Sequence, residues 1–319
     1  MRFRNVILLS LVLLSCGNGA IDDQETQKIL VPLADPYILL YEGMYYAYGT
    51  GAENGIEVMT SSDLKTWKRM ANTPSGLALY KDDSYGEKWF WAPEVYYVNG
   101  KFYMYYSAEE HICVAVSDSP LGPFRQTEEK PMLVEEKAID NSLFIDDDGK
   151  AYLFFVRFND GNNVWVAELE KDLMTLKRET MHHCISVSQP WEEVWPRVNE
   201  GPFVIKRNGV YYMTYSANSY ESPFYGIGCA TTTNIMGEWT KYPDNPILQK
   251  PGDLVGVGHN SLFWDKDGNL RIVFHAHHSN NTIHPRNMYI SKVNFKQVDG
   301  TDKMFIDPNY LTPVLEIKH

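Results

Sequence analysis

Cysteine is scarce in this chain of 319 residues, with four in all and no Cys-x-x-Cys spacing. That argues against a disulfide framework and against a structural zinc site. Basic charge is also short: 29 Lys plus Arg face 41 Asp plus Glu, a formal charge of −12. A nucleic-acid binder carries a basic face instead, so no nucleic-acid partner is expected. No apolar run approaches the ~20 residues of a membrane-spanning helix, and no amphipathic helix of ordinary length can be traced. Aromatic residues are plentiful: 8 Trp, 21 Tyr and 14 Phe make up 13% of the chain. They favour strands and suit a site that stacks on flat apolar faces such as sugar rings.

The N-terminus reads as a targeting segment. Arg2 and Arg4 precede the apolar run Val6 to Leu14, which is too short to span a bilayer stably. The ending Leu13-Leu14-Ser15-Cys16 resembles a bacterial lipobox, which would make residues 1–15 a lipoprotein signal peptide and Cys16 the lipidated first residue. Residues 16–28 then form a polar tether, and 29–319 the folded domain. The expected location is beyond the inner membrane, lipid-anchored in the periplasm or on the surface of a Gram-negative-type envelope. The lipid is the only membrane contact. Cys113, Cys184 and Cys229 remain, an odd number, so the core must hold the fold.

A Gly-containing turn followed by an aromatic-rich strand occurs five times, with the turn glycines at 43, 100, 149, 209 and 268. Asn-Gly and Asp-Gly signal two-residue hairpins because both residues tolerate positive φ. A second element, alternating apolar and polar residues before a turn, follows each copy. Intervals of 57, 49, 60 and 59 residues each hold about four short strands. This predicts an all-β fold, a five-bladed β-propeller with roughly four antiparallel strands per blade.

In such a fold the first strand of each blade lines the central channel. Counting back from each turn glycine reaches Asp35, Glu94, Asp140, Glu200 and His259, each just ahead of an apolar strand. Proline beside three of them (Asp35-Pro36, Pro93-Glu94, Gly201-Pro202) suits a strand's first positions, where the missing N–H is not needed. Four carboxylates and an imidazole at equivalent places would converge on the axis. Clustered carboxylates repel, which raises some pKa values and lets one acid stay protonated while another stays ionised.

The segments Ala34-Asp35-Pro36-Tyr37-Ile38, Trp91-Ala92-Pro93-Glu94, Ile139-Asp140-Asn141-Ser142-Leu143-Phe144 and Asn199-Glu200-Gly201-Pro202-Phe203 resemble glycoside hydrolase family 43. The likeness runs from about Leu30 to the C-terminus. It implies an inverting glycosidase acting on plant polysaccharide side chains or oligosaccharides, most often as an exo-acting α-L-arabinofuranosidase or β-xylosidase. A β-galactofuranosidase or galactan-directed exo-enzyme is the alternative within the family. By this resemblance Asp35 is the general base, Glu200 the general acid, and Asp140 the carboxylate that tunes and orients the acid.

The same resemblance gives Trp91, with Trp89 or Phe90, a place under the sugar, and Arg286 a contact with substrate and the acid pair. Glu94 and Phe203 are expected in the substrate site. His259 matches an axial histidine that in some relatives meets a calcium or its water shell. Calcium prefers oxygen ligands, so an ion there would be held largely by water; no cofactor is required. His275, His277 and His278 are read as packing or substrate-bonding residues. Two readings outside glycoside hydrolysis stay open: a non-catalytic carbohydrate-binding propeller, and a phosphorylase in which Arg157, Arg197 or Arg286 would hold phosphate. Short loops near Gly43 and Gly100, with Trp191 to Arg197 as a wall, suggest a closed pocket and exo action.

Overall fold

The turn glycines do close hairpins, and their chemistry sorts into two kinds. At Glu42-Gly43, Asn99-Gly100 and Asn208-Gly209 both residues have positive φ (+48 and +74, +50 and +83, +50 and +78). This two-residue turn matches the twist of its flanking strands. At Gly149 and Gly268 the turn is longer. There the Asp146 and Asp265 carbonyls accept from the glycine N–H, at 2.9 and 3.0 Å, before the strands resume.

The computed structural model describes residues 26–194, 197–298 and 300–318. The expected signal peptide 1–15 and Cys16 lie outside them. Five antiparallel sheets follow one another around an axis. Blade I pairs Ala34–Tyr41, Met44–Thr50, Met59–Ser61 and Thr66–Arg69. Blade II holds Trp91–Val98, Lys101–Ala108 and His111–Ser117, its fourth strand reduced to the pairing of Val116 with Arg125. Blade III runs Ala138–Ile145, Ala151–Phe158, Asn162–Glu168 and His182–Ile185. Blade IV runs Asn199–Arg207, Val210–Ala217, Gly226–Thr232 and Thr240–Lys241, and blade V runs Gly258–Trp264, Leu270–Ala276, Asn287–Val298 and Thr301–Leu311.

The outer edge of blade I is covered twice. Val314–Lys318 pairs parallel with Thr66–Arg69, and Thr26–Leu30 pairs antiparallel with Val314–Lys318. Thr26, Gln27 and Lys28 are thus paired in this outer ladder. Apolar faces meet between blades. Ile112 and Val114 of blade II pack with Leu153 and Phe155 of blade III, while Phe154 and Val156 on the other face pack with Met213 and Tyr215 of blade IV. Strands buried on both faces need apolar residues at successive positions, as at residues 151–156 of the strand Ala151–Phe158. Cys113, Cys184 and Cys229 are buried and free, so burial supplies what disulfides do not.

Each inner strand carries a bulge at the same place. The pairings Ala34–Thr50, Trp91–Ser107, Ile139–Val156, Glu200–Ser216 and Gly258–His275 are each followed by two inner-strand residues opposite one. The first bulged residue is left-handed in every blade: Asp35 (φ +48), Ala92 (+45), Asp140 (+57), Gly201 (+56) and His259 (+45). Left-handed backbone suits glycine and, among other residues, favours Asp, Asn and His. A bulge also re-aims side chains next to active sites. Each bulge amide crosses to a side chain of the preceding blade. Ala92 N–H donates to Thr50 Oγ1 (2.9 Å), Asp140 to Ser107 Oγ (3.0 Å), His259 to Ser216 Oγ (2.7 Å) and Asp35 to His275 Nδ1 (3.1 Å). In blade III the matching position is Val156, which has no acceptor, and Gly201 N–H donates instead to Asp140 Oδ2 at 3.1 Å.

Candidate active site

The five bulges converge on one end of the channel, at the floor of a cavity of ≈ 1050 Å³. Asp35, Asp140, Glu200, His259 and Arg286 form that floor, and Trp91 stands on the wall. They do not occupy one equivalent position, as the sequence count supposed. Asp35, Asp140 and His259 are the left-handed bulge residues, whereas Glu200 immediately precedes its bulge. Glu94 comes two residues beyond its own left-handed position.

That offset removes Glu94 and Phe203 from the cavity wall. Both are the first paired residue after a bulge, the place taken by Tyr37, Ser142 and Ser261 in the other blades. Glu94 accepts from the Tyr96 hydroxyl, and burial pushes its carboxyl up to about 8 although Tyr96 and Ser142 bond to it. Phe203 is buried, with its ring 6.4 Å from that of Tyr37. Neither residue lines the cavity. Trp191, expected at one end of the groove, packs instead against Tyr215, with ring centroids 6.1 Å apart.

Asp35 is surrounded by nitrogen. Arg286 Nη1 donates to Oδ1 at 2.8 Å and Nη2 to Oδ2 at 3.3 Å. The Nδ1 atoms of His259 and His275 lie 3.4 and 3.3 Å from Oδ1. Burial would raise this carboxyl, but Arg286, then His259 and His275, outweigh it and hold it well below the usual range. Both imidazoles are kept neutral by burial, and His275 is pushed down to about 3, with Arg286 adding to the effect.

The other two carboxyls go the opposite way. Burial, then the neighbouring charges of Glu200 and Asp35, raise Asp140 well above the ordinary value, with Gly201 N–H partly opposing them. Burial and Asp35 bring Glu200 up to about 7. Glu200 Oε1 accepts from Tyr225 Oη at 2.8 Å, and Oε2 accepts from Asn162 Nδ2 at 3.2 Å; both donors limit the rise. The floor therefore holds one carboxylate kept ionised and two carboxyls biased towards the protonated form, the division that acid–base cleavage of a glycosidic bond requires.

Around the mouth, the rings of Trp89 and Trp91 stack at 5.7 Å and 18°. Trp89 is 45% exposed and sits at φ +61, a costly conformation for a bulky residue. Phe158 is equally exposed on another side of the mouth, and Tyr220 covers Arg286, whose Cζ lies 4.5 Å from the ring centroid. His277 fixes that cover through Tyr220 O at 2.7 Å. Sequence reading does not single out Tyr225, Asn162 or Tyr220, and it takes His275 as a packing or substrate-bonding residue without linking it to Asp35. The residues also give no direct calcium cage. Among the described residues no three His, Cys, Asp or Glu side chains converge as ligands, and His259, the imidazole on the cavity floor, lies beside Asp35 and Arg286. The donor set does not fit a directly ligated ion.

Comparisons with known proteins agree with this geometry. The family model described as glycosyl hydrolases family 43 matches residues 29–301. A β-D-galactofuranosidase of Aspergillus niger is 28% identical over 78% of this chain and 75% of its own. A xylosidase/arabinosidase of Butyrivibrio fibrisolvens is 31% identical over 76% of this chain, which spans 47% of that longer relative. The crystal structure of an endo-1,4-β-xylanase from Bacteroides thetaiotaomicron superposes with a TM-score of 0.85 at 49% identity, covering 91% of this chain and 99% of that one. With its five blades and its polarised carboxyl floor, the chain belongs to glycosyl hydrolases family 43 and is a glycosidase.

Proposed function

We propose that the enzyme hydrolyses pentose-containing plant polysaccharides or their oligosaccharides with inversion, using Asp35 as general base and Glu200 as general acid. The observation that carries this reading is the opposite protonation bias of two carboxyls on one floor. Asp35, ionised against Arg286, takes a proton from a water whose oxygen attacks the anomeric carbon. The bond from that carbon to the leaving oxygen breaks on the opposite face as Glu200 delivers its proton there. Asp140, held protonated and tied to Gly201 N–H, fixes the strand that carries Glu200.

A cavity of ≈ 1050 Å³ lies just above the range of small-ligand clefts, about 300–1,000 Å³. It has room for several sugar units rather than one. Relatives named xylosidase/arabinosidase and exo-α-(1→5)-L-arabinofuranosidase support an arabinofuranoside or xyloside substrate. The A. niger relative, a β-D-galactofuranosidase, keeps that sugar as the second reading. Aryl glycosides of the three sugars decide the glycone, and product lengths released from arabinan and xylan decide between terminal and internal cleavage. Relatives described as extracellular support secretion, and the Leu13 to Cys16 sequence supports a lipid anchor at Cys16. Metabolic labelling with a fatty acid, lost in Cys16→Ala, tests the anchor.

Proton NMR of the first-formed sugar tests the mechanism, with the inverted anomer expected. Glu200→Gln should abolish turnover of poorly activated glycosides and partly spare aryl glycosides with good leaving groups, whereas Asp35→Asn should stop both. Retained configuration, or near-normal turnover of Asp35→Asn, contradicts the assignment.

A further inference from the structure

We infer that Tyr225 is the positioning residue that decides which oxygen of Glu200 carries the transferable proton. This rests on the acid role proposed for Glu200, but its geometry stands apart from that role. Tyr225 lies just ahead of the third strand of blade IV, fully buried and away from the cavity lining. Its ring stacks on His275 with centroids 5.7 Å apart and planes at 16°. On another side it fills the space above Gly258, where a Cβ would come within 2.1 Å of the ring. The ring is thus clamped between an imidazole and a glycine, and only its hydroxyl reaches the acid.

A phenol has a single proton to donate. At 2.8 Å from Glu200 Oε1, Tyr225 Oη donates there, and Glu200 is its hydrogen-bond partner among the described residues. Oε1 is thereby fixed as an acceptor. Among the described residues Oε2 accepts only the longer bond from Asn162 Nδ2 at 3.2 Å, which its remaining lone pair can meet while it carries the carboxyl proton, and Glu200 and Asn162 both line the cavity. When that proton leaves for the glycosidic oxygen, the carboxylate keeps the Tyr225 donor, so the charge formed in the step is already met by an oriented hydroxyl. The His275 on which Tyr225 stacks also receives the Asp35 amide, so one pair of rings braces the acid on one side and the base on the other.

The charged and titratable groups facing Glu200 are Asp35, Asp140 and Arg286 across the floor, His259 against Gly201, and Tyr225 itself. Tyr225→Phe keeps the ring and removes only the hydroxyl donor, whose bond is stronger to the ionised form, so Glu200 should titrate higher in the variant. The readout is carbon-detected NMR of ¹³C-labelled glutamate carboxyls, with the Glu200 signal assigned by its loss in Glu200→Gln. An upward displacement of about one pH unit is expected, with unchanged displacement of other glutamates. In turnover, the alkaline limb of kcat/KM should move up by the same amount, and poorly activated glycosides should lose about tenfold more than activated ones. A Glu200 titration that stays in place in a folded Tyr225→Phe overturns the inference, whatever the turnover does. A wild type that hydrolyses no glycoside contradicts the proposed function instead, and the NMR titration still judges the role of Tyr225. If Tyr225→Phe does not fold, Gly258→Ala, which pushes on the same ring from outside, should displace the Glu200 titration upward; no displacement there also overturns it.

Discussion

Gly201 N–H and Asp140 Oδ2 are joined at 3.1 Å because Val156 cannot do what its four counterparts do. Thr50, Ser107, Ser216 and His275 hold the same ladder position and each accepts the next blade's bulge amide. An apolar residue at that one place releases an amide to a carboxyl, which ties Asp140 to the strand of Glu200. Val156 is fully buried and close in shape to threonine. In Val156→Thr the introduced hydroxyl should take the Gly201 amide and free Asp140 Oδ2. Turnover of poorly activated glycosides should then fall on the order of tenfold, with thermal stability almost unchanged because the hydroxyl is satisfied. The opposite pattern, intact turnover with a loss of about 1–3 kcal/mol from an unbonded buried hydroxyl, would show that the Gly201–Asp140 bond persists.

Arg286 grips both oxygens of Asp35 and, together with His259 and His275, outweighs the burial of the carboxylate. Removing it in Arg286→Ala should raise the Asp35 pKa, because burial then acts with only the two neutral imidazoles nearby. With Asp35 as the proposed base, the acid limb of kcat/KM should move to higher pH, while the alkaline limb moves far less. Misplacement of the base should also cost on the order of 100-fold in kcat. Arg286→Lys keeps the charge but not the fork, so it should restore part of the limb position and little of the rate. The same pair gives a stability prediction. A carboxyl held low stabilises the fold above its unfolded pKa, and this contribution is lost as pH falls through the lower folded value. Unfolding of wild type and Arg286→Ala should therefore converge at strongly acidic pH.

The five blades could be read from the sequence because each copy carries its own turn glycine and aromatic strand, a signal that needs no long-range information. Asp35, Asp140 and Glu200 could be read because they stand at strand entries beside recognisable neighbours. Glu94 and Phe203 fall outside the cavity lining for one physical reason. A bulge adds a residue without changing composition, so counting back from a turn does not say on which side of the bulge a residue falls, and the side-chain alternation changes across it. Pro93-Glu94 and Pro202-Phe203 look alike in sequence to Asp35-Pro36, yet they follow the left-handed residue instead of being it. Tyr225 was invisible for another reason: its partner Glu200 is 25 residues away and its stacking partner His275 is on the next blade. Only the clearance at Gly258 hints at it, and a glycine among many carries no such label.

Trp89 and Trp91 present the stacked aromatic surface at the mouth, with Lys88 Nζ 4.2 Å from the centroid of the Trp89 ring. Trp89 keeps a positive φ while remaining nearly half exposed, so burial does not explain why a bulky residue is held in that conformation. A sugar ring laid on it would cover the exposed face. Trp89→Ala should raise KM for oligosaccharides about 2- to 12-fold, the equivalent of 0.5–1.5 kcal/mol for one aromatic contact. Aryl monoglycosides, which do not reach beyond the floor, should keep their KM, and kcat should hold for both. Stability should change little, since the lost ring is a surface one and the strain at φ +61 is relieved in part by the smaller side chain. Equal increases in KM for monoglycosides and oligosaccharides would place Trp89 under the cleaved sugar itself; no increase for either would remove the stacked pair from substrate binding.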